Sequence, residues 1–307
     1  MLKLLVPAQH LNWIHVSSNT SAIQLLENNI DNIHWGMLSR NPNAIHLLER
    51  YPHHIKWNNL SSNINACHIL KHNLNHIHWG NISTNINACD IIEHNLNKIQ
   101  WGWLSVNTHA IHILQNNMDK IDWYMISRNI NAVSFLEQHI NLIDWEGLSS
   151  NSNAIHLLEQ NPDKICWDVL SANKNAIHLL EQNLNKVDWY LLSTNINAIH
   201  LLEQNIYKIN WSGLSLNINA IRLLSQHLDK VCWYSLCFNK NAMGILLDNL
   251  DKVNWDCLSE NPSIFTYDYA RMKDTTGVFK EELIETVFHP IRFARYLYKF
   301  DFDMNDL

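Results

Sequence analysis

Glycine and proline are scarce in this chain of 307 residues, which contains 7 glycines and 6 prolines. So few turn-forming residues disfavour a β-sandwich or β-barrel, whose many short strands need tight turns. The sequence has no run of 18 apolar residues, so it predicts no transmembrane helix. The apolar stretch within "MLKLLVPAQH" is too short for a secretion signal, which predicts a protein that is not secreted.

Basic residues are in the minority as well, since 22 Lys and Arg stand against 29 Asp and Glu, for a net charge of −7. This balance argues against a nucleic-acid-binding protein, which would neutralise phosphates with basic side chains. The six cysteines form no CxxC pair, and three of them replace Ile or Ser in the repeat described below. They predict free thiols in a reducing compartment and no disulfide framework.

A repeat of 22 residues fills most of the chain. With Trp as position 1, the repeat reads W-x-x-L-S-x-N-x-N-A-I-H-L-L-E-Q-N-x-D/N-K-I-x, and only Trp103 falls outside the series. A fixed period of this length is typical of a solenoid, and the Trp residues are predicted to be structural. They are Trp13, Trp35, Trp57, Trp79, Trp101, Trp123, Trp145, Trp167, Trp189, Trp211, Trp233 and Trp255.

Asparagine at position 7 is present in every repeat, which predicts an internal, structural role. Pro42 and Pro262 follow this Asn at position 8, and Pro52 and Pro162 stand at position 18. A proline directly after a capping residue is typical of a helix start. Each repeat is therefore predicted to hold one helix over positions 8–16 and another from position 18 through Trp to position 4 or 5. The position-7 residues are Asn19, Asn41, Asn63, Asn85, Asn107, Asn129, Asn151, Asn173, Asn195, Asn217, Asn239 and Asn261.

These patterns predict an all-α fold, an α-solenoid of about eleven two-helix repeats with capping ends. The boundaries are a half-repeat cap over residues 1–12, the solenoid over 13–265 and a helical cap over 266–307. Stacked Trp side chains are expected to dominate the core, and helix spacings of about 8–10 Å give a curved rod on the order of 100 Å long. The alternative is a leucine-rich-repeat-like β/α solenoid, whose period overlaps 22 residues.

The repeats, together with the closing stretch "NPSIFTYDY…FKEELIETVFHP", resemble the Asn- and Trp-containing repeat proteins that giant nucleocytoplasmic DNA viruses encode in multiple copies. The resemblance covers residues 11–297. That family carries no assigned enzyme activity, so the resemblance implies no catalytic residue. It implies a viral protein in the cytoplasm of the infected cell or in the virion.

Positions 12 and 22 supply the candidate residues for a partner-binding surface. Position 12 is His in six repeats but Gln, Asp, Ser, Arg or Gly elsewhere, so it is expected to face solvent. Position 22 changes from His34, Lys56 and His78 to aspartate further along the chain, which suggests different partners, or different ends of one partner, along the solenoid. The candidate surface comprises His46, His156, His178, His200, Asp122, Asp144 and Asp188.

No catalytic, cofactor-binding or metal-ligating constellation stands out from the repeat. The recurring Glu at position 15 and Lys at position 20 are interpreted as a solvated charge ladder. His54 and His76 occupy equivalent positions in adjacent repeats, too far apart to share a metal ion. The sequence thus predicts a non-enzymatic scaffold without cofactor that binds a viral or host protein along one solenoid face. The alternative is a structural or assembly component of a virion.

Overall fold

The structure, a computed structural model, describes residues 2–269, and repeat 7 illustrates how each repeat is built. One helix runs from Trp145 to Ser149. It begins at Trp145 because the preceding residue, Asp144, is extended and accepts a hydrogen bond from the N–H of Gly147. The chain then turns through Asn151 and forms a second helix, Ile155–Gln160. A short 3₁₀ helix, Pro162–Lys164, leads to the next Trp.

The helices that begin at Trp are called the Trp helices. They are α1 (Trp13–Ser18), α3 (Trp35–Arg40), α5 (Trp57–Leu60), α7 (Trp79–Ser83), α9 (Trp101–Ser105), α11 (Trp123–Ser127), α13 (Trp145–Ser149), α15 (Trp167–Ser171), α17 (Trp189–Thr194), α19 (Trp211–Leu216), α21 (Trp233–Leu236) and α23 (Trp255–Glu260). Helices this short are marginal in isolation, so packing on neighbouring repeats must stabilise them.

The second helices alternate with the Trp helices along the chain. They are α2 (Ile23–Glu27), α4 (Ile45–Arg50), α6 (Cys67–Lys71), α8 (Cys89–Glu93), α10 (Ile111–Gln115), α12 (Val133–Gln138), α14 (Ile155–Gln160), α16 (Ile177–Glu181), α18 (Ile199–Gln204), α20 (Ile221–Gln226) and α22 (Met243–Leu247). The 3₁₀ helices are Ala8–His10, Ile30–Asn32, Pro42–Ala44, Pro52–His54, Leu74–His76, Met118–Lys120, Ile140–Leu142, Pro162–Lys164, Ile206–Lys208 and Pro262–Ile264.

These elements confirm the prediction of an all-α solenoid of two-helix repeats. The leucine-rich-repeat alternative would need a strand across Trp, where a helix begins instead. One predicted boundary is wrong, since the helix expected from position 18 through Trp is broken. Residues 165 and 166 are extended between the 3₁₀ helix and α15, so Trp167 starts a separate helix.

Aliphatic side chains form the core, and the tryptophans lie at its edge. The aliphatic residue at position 4, Ala at position 10 and the aliphatic residue at position 14 are buried in repeat after repeat, as in Leu148, Ala154 and Leu158. The Trp side chains of the series are half-buried, not buried. The expectation that stacked Trp dominates the core is therefore wrong, because the indole edge extends past the aliphatic layer.

Buried serine and asparagine join each repeat to the one before it. The side chain of Asn151 donates from Nδ2 to the carbonyls of Ser127 (3.0 Å) and Asn129 (2.9 Å). Its Oδ1 accepts the N–H of Asn153 at 3.0 Å. Ser149 Oγ donates to the carbonyl of Trp145 and accepts the N–H of Cys166 at 3.0 Å. Position 7, for which a structural role was predicted, is buried in all twelve repeats.

The first and last repeats contact each other through the same bonds. Asn19 Nδ2 donates to the carbonyls of Ser259 and Asn261, both at 3.1 Å. The N–H of Asn12 donates to Ser259 Oγ at 2.9 Å, and the ring of His10 stacks on Trp255 with centroids 4.8 Å apart. Residues 6–264 therefore form a closed ring of twelve repeats, which corrects the expected open rod.

Two partial repeats meet at this closure. Trp255 to Ile264 supply positions 1–10 of the twelfth repeat, and Ala8 to Asn12 supply positions 18–22. The predicted N-terminal half-repeat thus lies between repeats 12 and 1 instead of covering an exposed end. The intervening positions 11–16, which form the second helix elsewhere, are absent from this repeat because the chain leaves the ring after Ile264.

The Trp helices lie on the inside of the ring. Consecutive Trp helices make the closest helix-to-helix approaches between repeats. A Cβ placed on Gly147 would lie only 2.6 Å from the carbonyl oxygen of Tyr124. Second helices of adjacent repeats instead meet through long side chains such as His46 and Glu27. The Trp helices therefore trace the smaller circle.

Residues 1–5 and 265–307 form a separate unit. In its described part, strand β1 (Leu2–Leu4) pairs antiparallel with β2 (Phe265–Tyr267), and Lys3 lies opposite Thr266. The helical cap predicted over residues 266–307 thus starts within a strand. The helices predicted further along this segment lie outside the described residues.

Candidate interaction surface

The aspartates of the predicted surface begin helices. Oδ1 of Asp122, Asp144 and Asp188 accepts the N–H of the residue three positions later, at 3.0, 2.8 and 2.7 Å. His34 Nδ1 does the same at 3.2 Å in repeat 2. The charge change at position 22 is therefore compatible with one capping role, in which side chains of different charge accept the same bond.

The histidines of the predicted surface pair with glutamates of the preceding repeat. His46, His156 and His178 each bring Nε2 to 2.7–2.8 Å from Oε1 of a Glu 19 residues earlier, and His200 contacts Glu181 in the same way. Both partners of each pair are about half-exposed. Exposed pairs of this kind contribute little to stability, about 0–1 kcal/mol each.

A pairing rule between positions 15 and 12 was detectable in the sequence but missed. The six histidines at position 12 all follow a repeat with Glu at position 15, and Arg222 follows Glu203. The single Lys at position 15, Lys71, is followed by Asp90. The two charges change sign together, which indicates contact between repeats on the outer helices.

In eight of the twelve repeats, a Lys or His at position 20 lies over the indole of the Trp of the same repeat. Lys186 Nζ is 4.5 Å from the centre of the Trp167 ring, and His54 stacks on Trp35 at 4.3 Å. The position-20 lysines remain exposed to solvent, and these contacts add a role that the interpretation as a charge ladder did not include. The contacts cover the exposed part of the half-buried indoles with a cation or an imidazole.

Positions 2 and 6 of the Trp helices form an exposed surface here called the inner face. They project from the side opposite the buried positions 4 and 5, which pack toward the second helices. Because the second helices lie outside, positions 2 and 6 line the middle of the ring. Side chains at the two positions contact each other, as do the rings of Tyr234 and Phe238 with centroids 5.7 Å apart.

Four large apolar side chains gather on the inner face of repeats 9–11. Tyr190, Leu216, Tyr234 and Phe238 are 48%, 40%, 59% and 41% exposed, and we call them the apolar arc. Their helices are consecutive, and Ser212 Oγ lies 3.1 Å from Ser235 Oγ between them. The variability of positions 2 and 6 marks them in the sequence as candidates for partner specificity, together with positions 3, 12, 16 and 22. Sequence reasoning did not single out these four residues, because only ring geometry shows that positions 2 and 6 share a face.

A smaller aromatic pair lies on repeats 5 and 6. Trp103, the Trp outside the 22-residue series, is exposed on α9, and Tyr124 is exposed on α11. The guanidinium of Arg128 lies 5.6 Å from the centre of the Tyr124 ring. A cation therefore covers part of this pair, whereas no cation–π contact is found on the apolar arc among the described residues.

Charge is divided unequally along the inner side of the ring. In repeats 7–12, positions 22, 2, 3 and 6 carry no Lys, Arg or His in the sequence, whereas in repeats 1–4 they carry no Asp or Glu. The acidic residues of repeats 7–12 are Glu146, Asp168, Asp188, Asp256 and Glu260, and Asp144, the last residue of repeat 6, caps the Trp helix of repeat 7. The basic residues of repeats 1–4 are His15, His34, Arg40, Lys56 and His78. The apolar arc therefore lies within an acidic half-circle.

The ionisable cysteine and tyrosine side chains beside the arc differ in the direction of their pKa shifts. The hydrogen bond with Cys257 is the main cause of a raised pKa for Tyr234, so its hydroxyl stays neutral. Burial raises the pKa of the Cys237 and Cys257 thiols. At Cys232 burial opposes ionisation, but hydrogen bonds, led by Ser235, outweigh it and lower the pKa.

Two further cysteines, Cys67 and Cys89, also have raised pKa values. Burial raises the pKa of Cys67 and Cys89, and nearby Asp90 adds to the rise at both. All six cysteines are free thiols. Over residues 2–269, no group of three or more His, Cys, Asp or Glu side chains is placed to hold a metal ion.

A surface cavity of about 360 Å³ lies between repeats 3 and 4, lined by Lys71, Leu74, Asp90, Ile91, His94 and Asn95. It coincides with the reversed charge pair of Lys71 and Asp90, where no ion pair forms. No helix within the described part of the chain is long and apolar enough to cross a membrane.

Comparison with known proteins supplies no relative for this ring. No protein-family model, no curated protein and no solved structure matches the chain.

Proposed function

We propose that the protein is a non-enzymatic ring scaffold that binds another protein through the apolar arc on its inner face. The observation that carries the proposal is the exposure of four large apolar side chains on three consecutive Trp helices. Exposed apolar clusters with a polar surround are typical of protein-binding sites, and tyrosine is enriched in them.

The structural roles of the position-12 histidines and the position-22 aspartates favour the arc over the surface expected from sequence. Those residues make bonds within the chain, whereas the arc side chains at positions 2 and 6 project away from the core. Asp188 and Asp144 still contribute negative charge to the acidic surround of the arc. The resemblance to giant-virus repeat proteins supports a viral or host protein as the partner.

Assembly of a virion lattice through the ends of the repeat array is the alternative. Such assembly needs an unpaired repeat interface at each end. The contact between α1 and α23 occupies both of these interfaces. This contact favours partner binding on the inner face over growth through the repeat ends.

The test removes the arc without touching the core. The variant Tyr190→Ser/Tyr234→Ser/Phe238→Ser is expected to lose copurifying proteins by at least about tenfold, because central aromatic side chains carry most binding energy. Quantitative mass spectrometry of proteins captured from producing cells measures the loss. The matched control is Tyr207→Ser, a tyrosine 82% exposed outside the inner face, which should change nothing. Equal capture by the triple variant and the wild type would exclude the arc as the site.

A further inference from the structure

We infer that the partner segment bound by the apolar arc carries large apolar side chains flanked by lysine or arginine. The inference rests on the proposed function of the arc and adds the chemical class of its occupant. It is carried by the distribution of charge and apolar surface around the inner face of the ring.

The position-2 side chains of repeats 7–12 alternate in chemistry along the ring. Glu146 and Asp168 come first, Tyr190 and Tyr234 follow with Ser212 between them, and Asp256 closes the row. Glu146, Asp168 and Asp256 are exposed. Two carboxylates thus stand on one side of the arc and one on the other. Asp168 and Asp256 are each one repeat from a tyrosine, and Glu146 is two repeats from Tyr190.

No basic side chain of the neighbouring Trp helices neutralises these carboxylates. Positions 22, 2, 3 and 6 of repeats 7–12 contain no Lys, Arg or His, as noted above. Among residues 2–269, one ion pair involves these acidic side chains: His15 Nδ1 lies 3.6 Å from Glu260 at the closure. Asp256 accepts the Nδ2 of Asn12 at 2.6 Å, a neutral donor that leaves the negative charge in place.

Acidic side chains arranged around an apolar site select a partner by electrostatic complementarity. An acidic or neutral segment would desolvate the carboxylates without compensation, whereas Lys and Arg would pair with them at the rim. The long aliphatic stems of Lys and Arg also pack on aromatic rings while their charged ends stay in water. A basic, apolar segment therefore satisfies both features of the surface.

The circle formed by residues 6–264 is wide enough for such a segment. A circle of twelve helices spaced by about 8–10 Å has a diameter of roughly 30–40 Å between opposite helix axes. Subtracting helices of about 10–12 Å leaves an opening of roughly 20–30 Å. One helix or extended segment can reach the arc there without meeting the basic half-circle of repeats 1–4.

The test is a selection from a displayed library of random twelve-residue peptides on the full-length protein. Counter-selection on Tyr190→Ser/Tyr234→Ser/Phe238→Ser retains only peptides that depend on the arc. We expect these peptides to combine large apolar residues with two or more Lys or Arg. The affinity of a retained peptide is expected to fall about three- to tenfold in Glu146→Gln/Asp168→Asn, and to fall further as salt is raised.

The matched control is Asp163→Asn/Asp229→Asn, which removes two exposed carboxylates outside the inner face. It should leave the affinity unchanged, which would show that the change in net charge alone does not cause the loss of affinity. Arc-dependent peptides that are neutral or acidic, or equal effects of the two double variants, would reject the basic occupant while leaving the arc as a binding site. Failure to recover any arc-dependent peptide would reject the proposed function as well.

Discussion

Replacing Asn151 with Ala is expected to lower the free energy of unfolding by about 3–5 kcal/mol. Asn151 is fully buried; two hydrogen bonds from its Nδ2 join it to the preceding repeat, and its Oδ1 accepts a third within its own repeat. Alanine would leave the carbonyl of Ser127 without its donor in a site closed to water, at a cost of about 1–3 kcal/mol. It would also remove one of the two donors to the carbonyl of Asn129, which still accepts the N–H of Ala132, and the acceptor of the Asn153 N–H. Guanidinium denaturation followed by tryptophan fluorescence measures the change.

Asn153→Ala provides the control within the same repeat. Asn153 also bonds the preceding repeat, through Nδ2 to the carbonyl of Ile130 at 3.0 Å, but it is exposed. Water can replace that bond, so the loss should stay below about 1 kcal/mol. Equal destabilisation by the two variants would mean that the buried asparagines at position 7 are not what joins the repeats.

Replacing Gly147 with Ala is expected to destabilise the protein by about 1–3 kcal/mol, although alanine favours helices. The added Cβ would lie 2.6 Å from the carbonyl oxygen of Tyr124 and 3.2 Å from Ser127 Cβ. Helices α11 and α13 are among the closest pairs in the ring and meet through their backbones at this point. Either α11 and α13 move apart, or other repeats must deform to keep the ring closed.

Gly244→Ala separates this clash from the general effect of adding a methyl group. Gly244 lies in α22, and a Cβ there would meet nothing within 4 Å. The substitution should therefore stabilise the protein by about 0.5–1 kcal/mol through helix propensity. Thermal unfolding should show a lower melting temperature for Gly147→Ala and a higher one for Gly244→Ala. Destabilisation by both substitutions would contradict the explanation by close helix approach.

Much of the repeat could be predicted from sequence, because period, capping residues and apolar spacing are local properties. Asn151 and its equivalents were correctly assigned to the interior. The break before Trp167 was missed, since an extended pair of residues between two short helices leaves no signature in apolar periodicity. The capping role of Asp144 was equally hidden, because His and Cys occupy the same position in other repeats.

Closure of the ring could not be predicted from local patterns. It depends on a turn of about 30° per repeat that accumulates over twelve repeats, and such an angle is set by side-chain packing. One clue was present in the sequence. The repeat pattern begins at position 18 with Ala8 and ends at position 10 with Ile264, so its two ends are complementary parts of one repeat. The apolar arc follows from closure, because side chains at positions 2 and 6 become a shared inner face only in a ring.

The distance between Thr20 and Pro262 tests the closed ring most directly. Both occupy position 8, in repeats 1 and 12, and the control pair Pro42 and Ile64 occupies it in adjacent repeats 2 and 3. Spin labels on introduced cysteines, with the native cysteines replaced and the fold checked by circular dichroism, report both distances by pulsed electron resonance. The closed ring predicts overlapping distance distributions for the two pairs. A distance for Thr20 and Pro262 several times that of the control pair would contradict it.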